Sequence, residues 1–136
     1  MINYTVNKII PSKCYYVLVE IFSTNNWPEA DNPRVALYGL NMSNFLVLAF
    51  HGKKLVGLAR ASGDSVWCAT IDAVCVHKDY QRQGVGSELV RQLLNELSDC
   101  QYISVSPNCS SNIPFYEKLG FTKVEDGSLL QIERSV

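Results

Sequence analysis

Apolar residues recur along this chain with two periods, and each period predicts one kind of secondary structure. A spacing of three or four residues places side chains on one face of a helix, whereas short continuous or alternating apolar runs predict strands. Helices are predicted around the apolar positions 14–22, over 35–40, along the apolar face 89–97 and over 112–119. Strands are predicted at 5–10, 45–50, 55–61, 66–76, 102–105, 121–124 and 129–133.

The order of these elements is β-α-α-β-β-β-α-β-α-β-β, which predicts an α/β (α+β) fold with a mixed sheet and helices on its faces. A four-residue connection at 51–54 contains a glycine and predicts an antiparallel hairpin. No Pro/Gly/Ser-rich linker divides the 136 residues, so we expect one domain over 1–136.

Composition narrows the class of protein. The formal net charge is −1, with 12 basic and 13 acidic residues, which argues against a sequence-independent grip on nucleic acid. No apolar run reaches the length of a membrane span, and residues 1–8 do not have the pattern of a signal peptide. The five cysteines form no CxxC pair, which favours reduced, mostly core thiols and a cytoplasmic location over a disulfide framework or a metal site.

A glycine-bearing loop joins a predicted buried strand to the most amphipathic helix. Gly84 and Gly86 stand where that helix begins, and their missing Cβ atoms allow backbone N–H groups to approach an anion closely. The first N–H groups of a helix lack internal partners, so a diphosphate is a suitable guest. Arg82 adds a charge and Ser87 a hydroxyl. The alternative is that both glycines only shape a tight turn.

Segment 76–86 (VHKDYQRQGVG) closely resembles the acetyl-CoA loop of the GCN5-related N-acetyltransferase (GNAT) superfamily. Segment 112–121 (NIPFYEKLGF) resembles the second signature of that superfamily, in the same order and at the same spacing. The resemblance implies a single GNAT-like domain whose mixed sheet is mostly antiparallel, an enzyme that uses acetyl-CoA as co-substrate without a metal, and an amine acceptor.

The resemblance also implies where the coenzyme binds. In the family, the strand before the loop separates from its neighbour and pairs through its backbone with the pantetheine arm, which places that role on residues 72–76. The implied coenzyme-binding residues are Val74, Cys75, Val76, Gln81, Arg82, Gln83, Gly84, Val85, Gly86, Ser87, Asn112 and Tyr116.

Two residues are candidates for proton transfer. The family places a tyrosine at the position of Tyr116, and a phenol with a pKa near 10 can protonate a departing thiolate. The alternative is that the pair Phe115-Tyr116 anchors a short helix. Asp72 is the candidate base, because a regular strand would place it on the same face as Val74; a partner on a neighbouring element is an equally good explanation. His77 is a further candidate base, with an exposed loop position as its alternative.

The acceptor amine is not identified by the sequence. The first two helices, their connecting loop and the closing hairpin are expected to form the walls of its pocket. Aromatic and acidic residues are candidates for its lining, although core packing and solvation are the better explanation for such residues: Tyr15, Tyr16, Glu20, Trp27, Glu29, Asp31, Tyr38 and Trp67.

The expected function is direct transfer of an acetyl group to a primary amine of a small molecule or peptide. The alternatives are a non-catalytic acetyl-CoA sensor on the same fold and a structural or interaction domain. Neither a nucleic acid nor a membrane is expected as a partner, and a homodimer is an arrangement that such domains commonly adopt.

Overall fold

The computed structural model describes residues 1–107, 110–124, 130 and 132. The chain falls into two compact units, Met1–Val105 and Ser106–Val136. The first unit contains a five-stranded sheet in the order β1-β2-β3-β4-β5, and the second contains a short helix. The expectation that residues 1–136 form one domain stays a prediction.

The strands and helices follow the predicted order closely. The strands are β1 (Ile2–Val6), β2 (Phe45–His51), β3 (Lys54–Gly63), β4 (Cys68–Val76) and β5 (Tyr102–Val105). The helices are α1 (Tyr15–Thr24), α2 (Pro33–Asn41), α3 (Val85–Glu96) and α4 (Ile113–Glu117). The first four strands pair antiparallel, and β4 pairs with β5 in parallel. The predicted mixed, mostly antiparallel sheet is therefore confirmed.

Helices cover both faces of the sheet. Leu58 of β3 packs in one apolar cluster with Leu18 and Ile21 of α1. The neighbouring Gly57 faces α3 instead, since a Cβ there would lie 3.2 Å from Leu89 and 3.4 Å from Val85. Adjacent residues of a strand point to opposite faces, so α1 and α3 lie on opposite sides of β3. The missing side chain of Gly57 allows the first turn of α3 to pack close to the sheet.

The first strand begins and ends earlier than predicted. It was expected at 5–10 but ends at Val6, because Asn7 takes a positive φ of 57°. The backbone N–H of Asn7 donates to Leu46 O at 2.7 Å, and its side-chain Oδ1 accepts from Leu46 N at 3.1 Å. These two hydrogen bonds are the last ones between this segment and β2, and the pairing ends there. The apolar residues that suggested a longer strand separate, with Ile9 exposed and Ile10 in the core.

The predicted closing hairpin is the part of the fold that the structure does not support directly. Residues 121–124 are irregular backbone rather than a strand. The turn at 125–128 and most of the predicted strand at 129–133 lie outside the described residues. Within the described part of the chain, no helix is long and apolar enough to cross a membrane.

Candidate functional site

Strand β4 loses one of its neighbours halfway along its length. Strand β5 ends at Val105, opposite Ile71, so no described strand pairs with residues 72–76 on the side away from β3. The N–H of His77 donates to Val56 O of β3 at 2.7 Å, and because the polar groups of a strand alternate in direction, the N–H and C=O of Val76 point away from β3. The end of β4 therefore presents backbone groups at an open side of the sheet.

A β-bulge lies in the same stretch. Leu58 pairs with Cys75 and Arg60 with Asp72, so two residues of β4, Ala73 and Val74, oppose the single residue between them on β3. Ala73 takes a φ of 55°, a conformation that costs a non-glycine residue about 1–3 kcal/mol.

This bulge corrects one expectation. Cross-strand partners share a face, and so do Leu58 and Arg60, so Asp72 lies on the face of Cys75 and Val74 on the opposite one. The expectation that Asp72 and Val74 share a face is wrong, because it assumed a strand without an extra residue.

The loop after β4 presents a row of unpaired donors. Gly84 is the N-cap of α3 with φ 83°, and it has no side chain to accept from the helix. In the described part of the chain, no acceptor is found for the backbone N–H groups of residues 82 to 87; the first bonded one is Glu88 N–H, on Gly84 O at 3.1 Å. A Cβ at Gly84 would meet nothing within 4 Å, so open space lies beside these donors. They fit the phosphates of a coenzyme.

The side chains of this loop divide between those without and those with a hydrogen-bond partner in the fold. No hydrogen bond joins the side chain of Arg82 or Ser87 to another described residue, and Arg82 is exposed with φ 61°. Gln83 Nε2 donates to Asp79 O at 3.2 Å, while Val85 is buried against the sheet. Gln81 turns toward α1, where its Nε2 donates to Asn25 Oδ1 at 2.8 Å and to Val76 O at 3.0 Å. The backbone of the loop, more than its side chains, therefore offers the donors that an anion would need.

Asp72 has the partner that the sequence left open. Its Oδ1 lies 2.5 Å from Arg60 Nε on the neighbouring strand, and both side chains are partly exposed. Arg60 Nη1 also lies 3.4 Å from the Gly39 carbonyl oxygen of α2. The carboxylate is therefore fixed at the face of the sheet that α1 and α2 cover.

His77 is buried, which makes the exposed-loop alternative wrong. Only 2% of it is exposed; its Nδ1 accepts from the Asp79 N–H at 3.1 Å, and its Nε2 lies 2.5 Å from Glu20 Oε1. Because Nδ1 accepts a hydrogen bond, the ring proton lies on Nε2. The Nε2–H group then donates to the Glu20 carboxylate. The hydrogen bond from His77 is the main cause that lowers the pKa of Glu20. With both nitrogens engaged, His77 holds the start of the loop against α1.

Cys75 is a core residue rather than a reactive thiol. It is 3% exposed, its Sγ lies 3.9 Å from Ile21 O, and burial raises its pKa to about 12. Cys14 is also buried, Cys100 is half-buried and Cys68 is exposed, so two of the four described cysteines lie in the core. Cys109 lies outside the described residues. Across those residues, no group of three potential ligands is placed to hold a metal ion.

Tyr116 lies in the second unit, on α4, whose N-cap is Asn112. Its ring meets those of Phe115 and Phe121 edge-on, with centroids 4.9 and 5.8 Å away. Burial raises the pKa of its phenol, so the hydroxyl keeps its proton at neutral pH. The aromatic packing and a role as proton donor are compatible.

The aromatic residues expected around an acceptor differ in their surroundings. Trp27 stacks on Phe22 with ring centroids 5.9 Å apart, which fixes the segment after α1. Tyr16 and Tyr38 are exposed on α1 and α2. Trp67 is also exposed and packs edge-on against Tyr102 of β5, with centroids 5.3 Å apart.

The comparisons with known proteins agree with this geometry, in which β5 ends halfway along β4 and a turn with free N–H donors follows. The acetyltransferase (GNAT) family model matches residues 12–121. The chain belongs to this family, which confirms the family and the class of enzyme expected from the two motifs.

Two relatives illustrate the similarity. The chain is 31% identical over 117 residues to a protein of Pyropia yezoensis named uncharacterized N-acetyltransferase ycf52, covering 82% of this chain and 67% of the relative. It is 40% identical over 76 residues to GCN5-related N-acetyltransferase 2, chloroplastic, of Arabidopsis thaliana, covering 55% of this chain and 30% of the relative. The matched region thus spans about two thirds of the first relative and less than a third of the second.

Solved structures share the fold over nearly the whole chain. A GNAT-family acetyltransferase from Streptococcus pneumoniae superposes with a TM-score of 0.81 at 23% identity, covering 99% of this chain and 100% of its own. A protein from Clostridium acetobutylicum, described as a predicted acetyltransferase with acetyl-CoA, gives a TM-score of 0.69 at 16% identity and covers 96% of both chains. At these identities the similarity shows the fold alone.

Three residues of the site were not identified as partners from the sequence. Arg60 and Asn25 carry no motif, and their roles depend on neighbours 12 and 56 positions away. The ion pair of Glu20 with His77 spans 57 positions. The sequence signal that pointed toward such a partner is Asp72, a charged residue within an apolar strand run, because unpaired burial of a charge is costly.

We expect the replacement Gly84→Ala to weaken acetyl-CoA binding at least tenfold. The new Cβ enters the open space beside the donors, and the positive φ costs about 1–2 kcal/mol of stability. Gly52→Ala is the matched control, since Gly52 has φ 62° and equally open surroundings but lies in the β2–β3 turn. It should lose similar stability and keep its affinity, as measured by calorimetry. Equal affinities for both variants would contradict the anion site.

The bond between Glu20 and His77 predicts a pH dependence of stability. Because the folded-state pKa of Glu20 lies below its ordinary value of 4.5, the ionised side chain stabilises the fold above that pH, and the contribution is lost as the pH falls through the folded pKa. Urea unfolding should therefore show the largest difference between wild type and Glu20→Gln near neutral pH and a shrinking one below pH 4.5. A constant difference would contradict this assignment.

Proposed function

We propose that this protein binds acetyl-CoA through the N–H groups of residues 82–87 and transfers the acetyl group directly to a primary amine of a small molecule or peptide. The row of unpaired donors at the start of α3 carries the proposal, because it fits a diphosphate and adjoins the open end of β4. Family membership supports acetyl-CoA as the donor.

The chain's own residues would hold the coenzyme in two ways. The N–H groups around Gly84 bind the phosphates, with the Arg82 guanidinium adding charge, and the N–H of Val76 at the open side of β4 contacts the pantetheine arm. Bound acetyl-CoA supplies a thioester, whose carbon–sulfur bond breaks as the carbon–nitrogen bond to the amine forms. The residues around it position the amine and move its proton.

Proton transfer in this proposal uses Tyr116 and Asp72. The phenol of Tyr116 is protonated at neutral pH and gives its proton to the departing thiolate. Asp72 removes a proton from the acceptor amine, directly or through water, while Arg60 fixes the orientation of its carboxylate. The partly exposed position of Asp72 leaves its second oxygen accessible.

The partners and the cellular location are also proposals. A cytoplasmic location follows from the reduced cysteines, although one matched relative is named chloroplastic. A homodimer is proposed from the family resemblance, and we expect neither nucleic acid nor membrane to be bound.

Removal of one hydroxyl tests the proposed reaction. Tyr116→Phe should lower turnover about 100-fold or more while leaving the affinity for acetyl-CoA unchanged, because a general acid contributes that much. The assay is thiol release from acetyl-CoA with a panel of amines. Tyr102→Phe, which removes an exposed hydroxyl from β5, is the control and should keep full turnover. Unchanged turnover in Tyr116→Phe would remove this tyrosine from the mechanism.

The base is tested by two substitutions that break the same ion pair. Asp72→Asn should move the pH–rate profile to higher pH, because the amine must then lose its proton in solution before it reacts. Arg60→Gln also removes the pair but keeps the carboxylate, so it should retain activity near neutral pH. If both variants give the same profile, Asp72 is a structural partner of Arg60 and not the base.

A further inference from the structure

A polar network connects the coenzyme loop to the end of α1. Asn25 Nδ2 donates to Ile21 O at 2.8 Å and to Val76 O at 2.9 Å. Gln81 Nε2 donates to Asn25 Oδ1 at 2.8 Å and to the same Val76 carbonyl at 3.0 Å. Four hydrogen bonds thus unite a helix, a strand and the loop.

The chemistry of the network fixes the orientation of both amides. Carbonyl oxygens only accept hydrogen bonds, so the group of Asn25 that faces Ile21 O and Val76 O must be its NH₂. The remaining atom, Oδ1, needs a donor, which the NH₂ of Gln81 supplies. Exchanging the amide nitrogen and oxygen of either side chain would break its hydrogen bonds. Each side chain therefore fixes the orientation of the other.

Asn25 also determines how the chain leaves α1. It is the C-cap of that helix, and Asn26 follows with φ 58°. The N–H of Trp27 returns to Phe22 O at 2.9 Å, and the Trp27 ring stacks on that of Phe22. Segment 26–31, which contains Trp27, Glu29 and Asp31, therefore starts directly after the residue to which Gln81 is hydrogen-bonded, and the position of Asn25 sets its direction.

We propose that Asn25 and Gln81 are a positioning pair that couples the coenzyme loop to segment 26–31, a wall of the acceptor pocket. This inference rests on the proposed function and goes beyond it, since it gives Gln81 a role toward α1 and not toward the phosphates. A more rigid coenzyme loop makes segment 26–31 more rigid through Asn25. The coupling free energy is the same in both directions.

Hydrogen–deuterium exchange of the free protein tests the pair without any ligand. Gln81→Ala should speed exchange of the bonded N–H groups in segment 26–31 about fivefold, as expected for the loss of one or two hydrogen bonds. Gln83→Ala is the matched control, because that amide bonds only Asp79 O within its own loop. It should leave segment 26–31 unchanged.

The reverse experiment uses the other member of the pair. Asn25→Ala should speed exchange at His77, Tyr80 and Gln81, whose N–H groups are hydrogen-bonded in the loop. Asn41→Ala removes an amide that bridges Ile10 N and O elsewhere in the fold, so it should lose stability without this local change. If Asn25→Ala and Asn41→Ala raise exchange in the loop equally, the effect is general loosening and the proposal is wrong.

Saturating acetyl-CoA then separates this proposal from the proposed function. In the wild type it should slow exchange at residues 82–87 and also in segment 26–31, and the second effect should disappear in Gln81→Ala. Protection at 82–87 without any at 26–31 would overturn the coupling alone. Absence of protection at both would overturn acetyl-CoA binding, while the ligand-free comparison would still decide whether the two amides are coupled.

Discussion

The candidate site depends on backbone N–H groups at the start of α3 for which the described residues provide no acceptor. Gly84 makes this possible, because its left-handed conformation ends the preceding turn and opens space in which no side chain stands. Contacts with the sheet and with α1 hold this turn in place. Gly57 allows Val85 and Leu89 to pack onto the sheet, and His77 and Gln81 fasten the loop to α1. A row of donors held rigidly binds an anion without a cost of reorganisation.

The second constraint is that β5 ends before β4 does. Strand β5 ends at Val105, and the bulge at Ala73 shifts the register of β4 just beyond that point. The same strand therefore pairs with β5 in its first half, whereas in its second half no described strand pairs with this side and the Val76 carbonyl accepts from the side chains of Asn25 and Gln81 instead. Because α3 follows directly, the open edge and the anion site adjoin along one stretch of chain.

The sequence predicted the fold and the loop well, because both depend on local patterns. Apolar periodicity located the described helices and most strands, and the glycines at 84 and 86 pointed to the turn where α3 begins, whose role as an anion site stays a prediction. Partners distant in the chain were not predictable in this way. The bulge at Ala73 carries no residue type that marks it, so the placement of Asp72 relative to Val74 was wrong. The bonds of Asn25 and Arg60 depend on packing between elements, as does the burial of His77.

A crystal structure of the protein grown with acetyl-CoA tests the central claim most directly. The account predicts diphosphate oxygens at about 3 Å from backbone nitrogens of the turn that opens α3. Coenzyme bound elsewhere, with those nitrogens facing only solvent, would contradict it.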